Sequence, residues 1–133
     1  MDCPVCKNPM IVLELDEVEI DHCAKCGGIW LDSGELEQLF DDVKQADSLV
    51  NSFKTREGVK ENVHQCPICF KKMEKAAAAT DIIIDRCPKH HGLWFDKNEL
   101  SIILSRNFFG TEHKIMRLLS EIFSKKKGNK NGN

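Results

Sequence analysis

No stretch of this 133-residue chain comes near the run of about 18 apolar residues that a membrane-spanning helix requires. A hydrophobic leader is missing as well, so secretion is not expected. The seven cysteines are an odd number, which does not suit a closed disulfide framework. No nucleophile–base pair can be read along the chain, and this sets enzymatic chemistry aside. Also absent is the basic surplus of a general nucleic-acid binder, since the formal net charge is −2. These absences predict a soluble, reduced, cytoplasmic protein that is not an enzyme and does not enter membranes.

Charge is unevenly spread. Residues 1–56 hold 12 acidic and 5 basic side chains, residues 57–100 hold 7 of each, and residues 101–133 hold 2 and 7. A surface that grips phosphates should be basic. The first third is the opposite, and only the last third keeps nucleic acid open as a partner.

What the chain has in plenty is repetition. Cys3-Pro4-Val5-Cys6 is followed by Cys23-Ala24-Lys25-Cys26-Gly27-Gly28-Ile29-Trp30-Leu31-Asp32. The frame returns as Cys66-Pro67-Ile68-Cys69, then Cys87-Pro88-Lys89-His90-His91-Gly92-Leu93-Trp94-Phe95-Asp96. Between the pairs lie 16 residues in the first copy and 17 in the second. That is the spacing of a four-ligand zinc site, met twice.

Site one is then Cys3, Cys6, Cys23 and Cys26, and site two is Cys66, Cys69, Cys87 and His90. Aligning the Gly-x-Trp segments sets His90 opposite Cys26 and His91 opposite Gly27. His90 is therefore preferred as the fourth ligand, with His91 left as a turn residue or a replacement ligand. Soft thiolates in a tetrahedral set select Zn²⁺, although ligand type alone leaves an iron or iron–sulfur site open. Four protein ligands close the coordination sphere, which predicts two structural metals. Seven thiolates and two Zn²⁺ would move the formal charge from −2 to about −5. Units of this size bury little apolar surface, so a metal staple is expected.

Between the pairs of copy one, Ile11, Leu13, Leu15, Val18 and Ile20 alternate with other residues around Asp16-Glu17. This predicts a hairpin with one buried face and one acidic face carrying Glu17, Glu19 and Asp21. In copy two, Ala76–Ala79 and Ile82–Ile84 are apolar on both faces, so a cover over the outer face is expected. Asp32 with Glu35, and Asp96 with Glu99, have capping-box spacing. Leu36, Leu39, Phe40, Val43 and Val50 continue one helical stripe to about residue 53. Leu100, Ile103 and Leu104 begin its counterpart. Trp30 and Trp94 are read as ribbon core in preference to stacking platforms for bases. His22, His64 and His113 are read as solvated.

The frame Cys-Pro-x-Cys, a hairpin, Cys-x-x-Cys-Gly-Gly-Ile-Trp-Leu-Asp-x-Gly-Glu-Leu resembles the prokaryotic transcription-factor-IIB-type zinc-finger family. Copy one matches through Leu36, and copy two departs at His90, His91 and Phe95. The resemblance implies small zinc ribbons and a link to transcription, the latter by analogy of folds. The expected architecture is a small metal-bound α+β chain of two tandem zinc ribbons, each a β-hairpin plus a third short strand followed by an α-helix. Its parts are ribbon one with its helix (1–53), a linker (54–63), ribbon two with its helix (64–110), an amphipathic C-terminal helix (111–124) and a disordered basic tail (125–133). The expected role is that of a non-enzymatic interaction module with a protein partner in a transcription-related or regulatory complex. The alternative is a nucleic-acid-binding regulator that uses the basic C-terminal third. Self-association is the rival to a monomer in which the last helix covers the second hairpin.

Overall fold

The chain order of elements is β1 (Ile11–Leu15), β2 (Val18–His22), β3 (Ile29–Asp32), α1 (Ser33–Leu39), β4 (Lys54–Thr55), β5 (Glu74–Ala79), β6 (Ile82–Arg86), β7 (Gly92–Phe95) and α2 (Lys97–Arg106). The computed structural model describes residues 1–15, 18–39, 44, 51, 53–59, 62–79, 82–106, 117, 120 and 121. Strands β1 and β2 pair antiparallel from Ile11↔His22 to Leu15↔Val18. Period-two patterning works as physics requires on β2: Val18, Ile20 and His22 are buried, whereas Glu19 is exposed and Asp21 is half-buried.

Copy two repeats this hairpin in the same register, with Glu74↔Arg86 standing for Ile11↔His22 and Ala76↔Ile84 for Leu13↔Ile20. Its one extra residue between the ligand pairs is absorbed by a register shift between Ala77 and Ala79. Such a bulge lets a strand carry an additional residue without turning its later side chains to the wrong face. The outer face is more covered than in copy one: Ala77 and Ile83 are half-buried where Glu14 and Glu19 are exposed.

The two copies then join. β3 lies antiparallel to β7 with Ile29↔Phe95, Trp30↔Trp94, Leu31↔Leu93 and Asp32↔Gly92. Trp30 and Trp94 are the same position of the repeat, so this seam relates the halves by a local two-fold axis between the tryptophans. It is the isologous arrangement of a symmetric dimer, made within one chain. One seven-stranded sheet results, in the order β1-β2-β3-β7-β6-β5-β4.

The segment read as linker corrects one expectation at its start, because Lys54–Thr55 is strand β4 on the outer edge of β5, with Lys54↔Ala77 and Thr55↔Ala76. Two residues are too few for alternation to show in a sequence. Phe53, just ahead, is 2% exposed. Both helices start where the capping boxes place them. Asp32 Oδ1 accepts the Glu35 N–H at 2.8 Å and Glu35 Oε1 accepts the Asp32 N–H at 2.9 Å. The counterpart distances for Asp96 and Glu99 are 2.9 and 3.2 Å. Helix α1 packs on β2, β3 and β7, and α2 packs on β6.

Phe40, Val43 and Val50 of the expected stripe lie outside the described residues, as do the tail 125–133 and most of the helix expected at 111–124, where Arg117, Ser120 and Glu121 are helical. Among the described residues, no helix is long and apolar enough to cross a membrane.

Candidate metal centres

Each centre is built from two chain reversals. In the first, Cys3 O accepts the Lys7 N–H at 3.0 Å and the Cys3 N–H donates to Asn8 O at 2.8 Å. Cys66 repeats this, with Phe70 N–H to Cys66 O and Cys66 N–H to Lys71 O both at 2.8 Å. The fifth residue of each reversal is left-handed, at φ 65° for Lys7 and 63° for Phe70. A turn that tight aims both cysteines of a pair inward and lets the first sulfur accept backbone N–H groups. Val5 N and Cys6 N reach Cys3 Sγ at 3.4 and 3.5 Å, and Ile68 N reaches Cys66 Sγ at 3.4 Å.

Cys3, Cys6, Cys23 and Cys26 converge so that their sulfurs all lie within 4.8 Å of one another. Cys3 Sγ stands 3.5 Å from Cys26 Sγ, and Cys6 Sγ stands 3.4 Å from Cys23 Sγ. A tetrahedron with metal–sulfur bonds of about 2.3 Å has edges of about 3.8 Å. The donor set therefore fits Zn²⁺ in size as well as in chemistry.

The second centre gathers Cys66, Cys69, Cys87 and His91. His91 Nδ1 is 3.4 Å from Cys87 Sγ and 3.9 Å from Cys66 Sγ, and Cys69 Sγ is 3.7 Å from Cys87 Sγ. The expectation of His90 is thus corrected, and His91 is the fourth ligand. The reason lies in the reversal. In copy one Gly27 closes it, donating to Cys23 O at 2.9 Å with φ 85°; in copy two His90 closes it, donating to Cys87 O at 3.1 Å with φ 64°. The left-handed position has moved one residue earlier, and it turns His90 outward, where it is exposed. Downstream the frame is unchanged, because Cys23 N pairs with Gly28 O and Cys87 N with Gly92 O. Imidazole Nδ1 lies two bonds beyond Cβ and a thiol sulfur only one, so the longer side chain serves from the next residue. With Nδ1 turned to the sulfurs, the ring proton belongs on Nε2.

The two cysteines of each Cys-Pro-x-Cys pair differ electrically. Burial pushes the Cys3 thiol up, and that of Cys66 up to about 11. Hydrogen bonds from Asn8 draw Cys6 down to about 6, and the Lys71 N–H draws Cys69 down to about 7. The outer sulfur is ready as thiolate, whereas the inner one needs the cation beside it. Bound zinc would be held by four protein ligands at each centre, which leaves no position for water or substrate.

The seam ties the centres together. A side chain at Gly28 would meet the Trp94 ring, with Cη2 at 2.7 Å, and one at Gly92 would meet the Trp30 ring, with Cζ2 at 2.9 Å. Each tryptophan thus packs under the glycine that follows the other copy's ligand pair. Both indoles are fully buried and share one apolar cluster with Cys3, Cys23, Cys66 and Cys87, as expected of core rather than of a stacking platform. Their Nε1 donors are buried without a hydrogen-bond partner. An orphaned donor costs about 1–3 kcal/mol, so ring shape is what this position uses.

Two histidines read as solvated are not. His22 is 7% exposed, with Nδ1 3.1 Å from Gly28 O, so it braces the reversal of site one. His64 lies 3.5 Å from Asp85, itself buried and paired with Lys75 at 2.7 Å. His113 is outside the described residues. In copy one Val12 replaces Lys75, and burial together with Asp32 and Glu19 pushes the Asp21 carboxyl up.

A family model described as transcription factor zinc-finger matches residues 2–42 and 65–106. Comparisons with curated proteins and with solved structures return no match. With more than half of the chain so matched, and the ligands of both centres inside the matched segments, the chain belongs to the transcription factor zinc-finger family.

Proposed function

We propose that the chain is a non-enzymatic, zinc-bound interaction module that serves as an adaptor in a transcription-related or regulatory complex. The observation that carries this is closure: every ligand position of both centres is taken by protein, so metal serves the fold and the outer surface is left for partners. In this proposal the units are 1–53 and 64–110, each a ribbon with its helix, in a monomeric cytoplasmic chain followed by a C-terminal helix.

Zinc at each centre would contribute folding free energy on the order of 10 kcal/mol. Stripping both ions with a chelator should therefore abolish the folded circular dichroism signal, and a full signal after verified metal loss would refute structural zinc. The role itself is tested by a cross-linked pull-down from the native host with metal retained. Recovery of a stoichiometric protein partner supports it. Absence of such a partner, together with nucleic-acid binding that weakens steeply with salt and vanishes on removing residues 125–133 together with Lys114 and Arg117, overturns it in favour of the nucleic-acid regulator.

A further inference from the structure

The two outer edges of the sheet are not alike. On copy two, β4 lies along β5, with Arg56 N donating to Lys75 O at 2.9 Å. Arg86 fastens it, reaching Phe53 O at 2.7 Å, Thr55 Oγ1 at 2.9 Å and Glu74 Oε1 at 3.1 Å. On copy one the matching edge is β1, and among the described residues no strand pairs with its outer side. Ile11 and Val12, which stand where Glu74 and Lys75 stand in copy two, are 48% and 59% exposed. A bare edge with apolar side chains is a template for strand addition unless something blunts it.

We propose that the β1 edge receives an extended, basic segment of a partner protein as an added antiparallel strand. This rests on the reading of the chain as a protein-interaction module and assigns the surface. The chemistry of the occupant follows from superposing β4 on the empty edge. Lys54 faces Ala77, whose counterpart is Glu14, and Glu14 is itself paired with Glu19 on the same face. Both carboxylates are exposed. A lysine or arginine at that position of the added strand meets two acidic groups, a favourable cross-strand pairing. The next residues of the occupant face Leu13, Val12 and Ile11 and are best apolar. A second copy of this chain fits less well, since antiparallel pairing of two β1 strands brings two acidic hairpins together. Backbone pairing supplies affinity and alternate side chains supply selection, as in peptide recognition by β-augmentation.

The test uses the full zinc-loaded chain and a synthetic extended peptide in which one lysine is followed by three valines, followed by amide NMR. The inference expects shifts centred on Val12 and Glu14, and binding at least about tenfold weaker for the peptide with glutamate in place of lysine. Glu14→Lys should weaken binding of the lysine peptide comparably. Val12→Pro should abolish it, because the Lys75-equivalent backbone faces outward and the donor removed is not one used by β2. Equal binding by wild type and both variants would overturn the inference. So would shifts confined to another surface such as that of Phe70, although the interaction-module reading would then survive. Concentration-dependent dimerisation in light scattering that Val12→Pro removes would make a second copy the occupant, and also overturn it.

Discussion

At the scale of single residues, two neighbouring histidines divide into ligand and turn. His91→Ala should leave native mass spectrometry with one tightly held zinc, whereas His90→Ala should retain two; the reverse pattern would restore His90 as ligand. All seven cysteine ligands could be read from spacing, because a fixed offset between soft donors has few other meanings. The eighth could not. Alignment assumes that equivalent residues do equivalent work, and a side chain one bond longer breaks that assumption. Glu35 offers a second test at this scale. Burial, with Asp32, Asp21 and Glu19 nearby, pushes its carboxyl from an ordinary 4.5 up to about 8. The fold then keeps a proton that the unfolded chain has released, so this group's contribution to stability is greatest below about 4.5 and declines as pH rises toward 8. With zinc saturating, Glu35→Gln should flatten that decline and gain on the order of 1–2 kcal/mol at pH 9 in urea unfolding, the figure being reduced for solvent screening.

Among the elements, hairpins and helix starts were legible, since alternation and capping boxes are local signals. Strand β4 was not. Its existence depends on a long-range clamp from Arg86, and nothing within residues 53–56 announces it. Arg86→Ala should release β4 without disturbing the metals, at a cost of about 1–3 kcal/mol. Hydrogen exchange would show faster loss of the Arg56 amide, with zinc stoichiometry unchanged at two. An unaltered Arg56 amide would mean that Phe53 alone seats the strand. The bulge between Ala77 and Ala79 was visible only as a one-residue difference in spacing, and its place was set by which side chains had to stay buried.

For the whole molecule, the duplication was plain in the sequence but the seam was not. A Gly-x-Trp segment looks like the private core of its own ribbon, whereas each indole lies under the other ribbon's glycine. Trp30→Ala should therefore act across the axis. Truncating a buried tryptophan costs about 3–5 kcal/mol, and the centre most loosened should be Cys66, Cys69, Cys87 and His91. Trp94→Ala should loosen Cys3, Cys6, Cys23 and Cys26. Site-resolved zinc release to a colorimetric chelator measures this, and loss confined to the mutated copy would contradict the crossed packing.

The four-pair seam between β3 and β7 also has a consequence for how the halves could change. Two free subunits meeting through such a seam would be joined only in proportion to their concentration. A covalent tether replaces protein concentration with an effective local concentration in the millimolar range. Tethering further removes the requirement that both partners be identical. In a symmetric homodimer every substitution enters twice, once on each side of the axis. Here it enters once, so His91, the Lys75–Asp85 pair and the β4 clamp can sit on one side while the other keeps four cysteines and a bare acidic edge. Fusion thus gives a two-fold scaffold two unequal ends, and an object with unequal ends can orient whatever it joins.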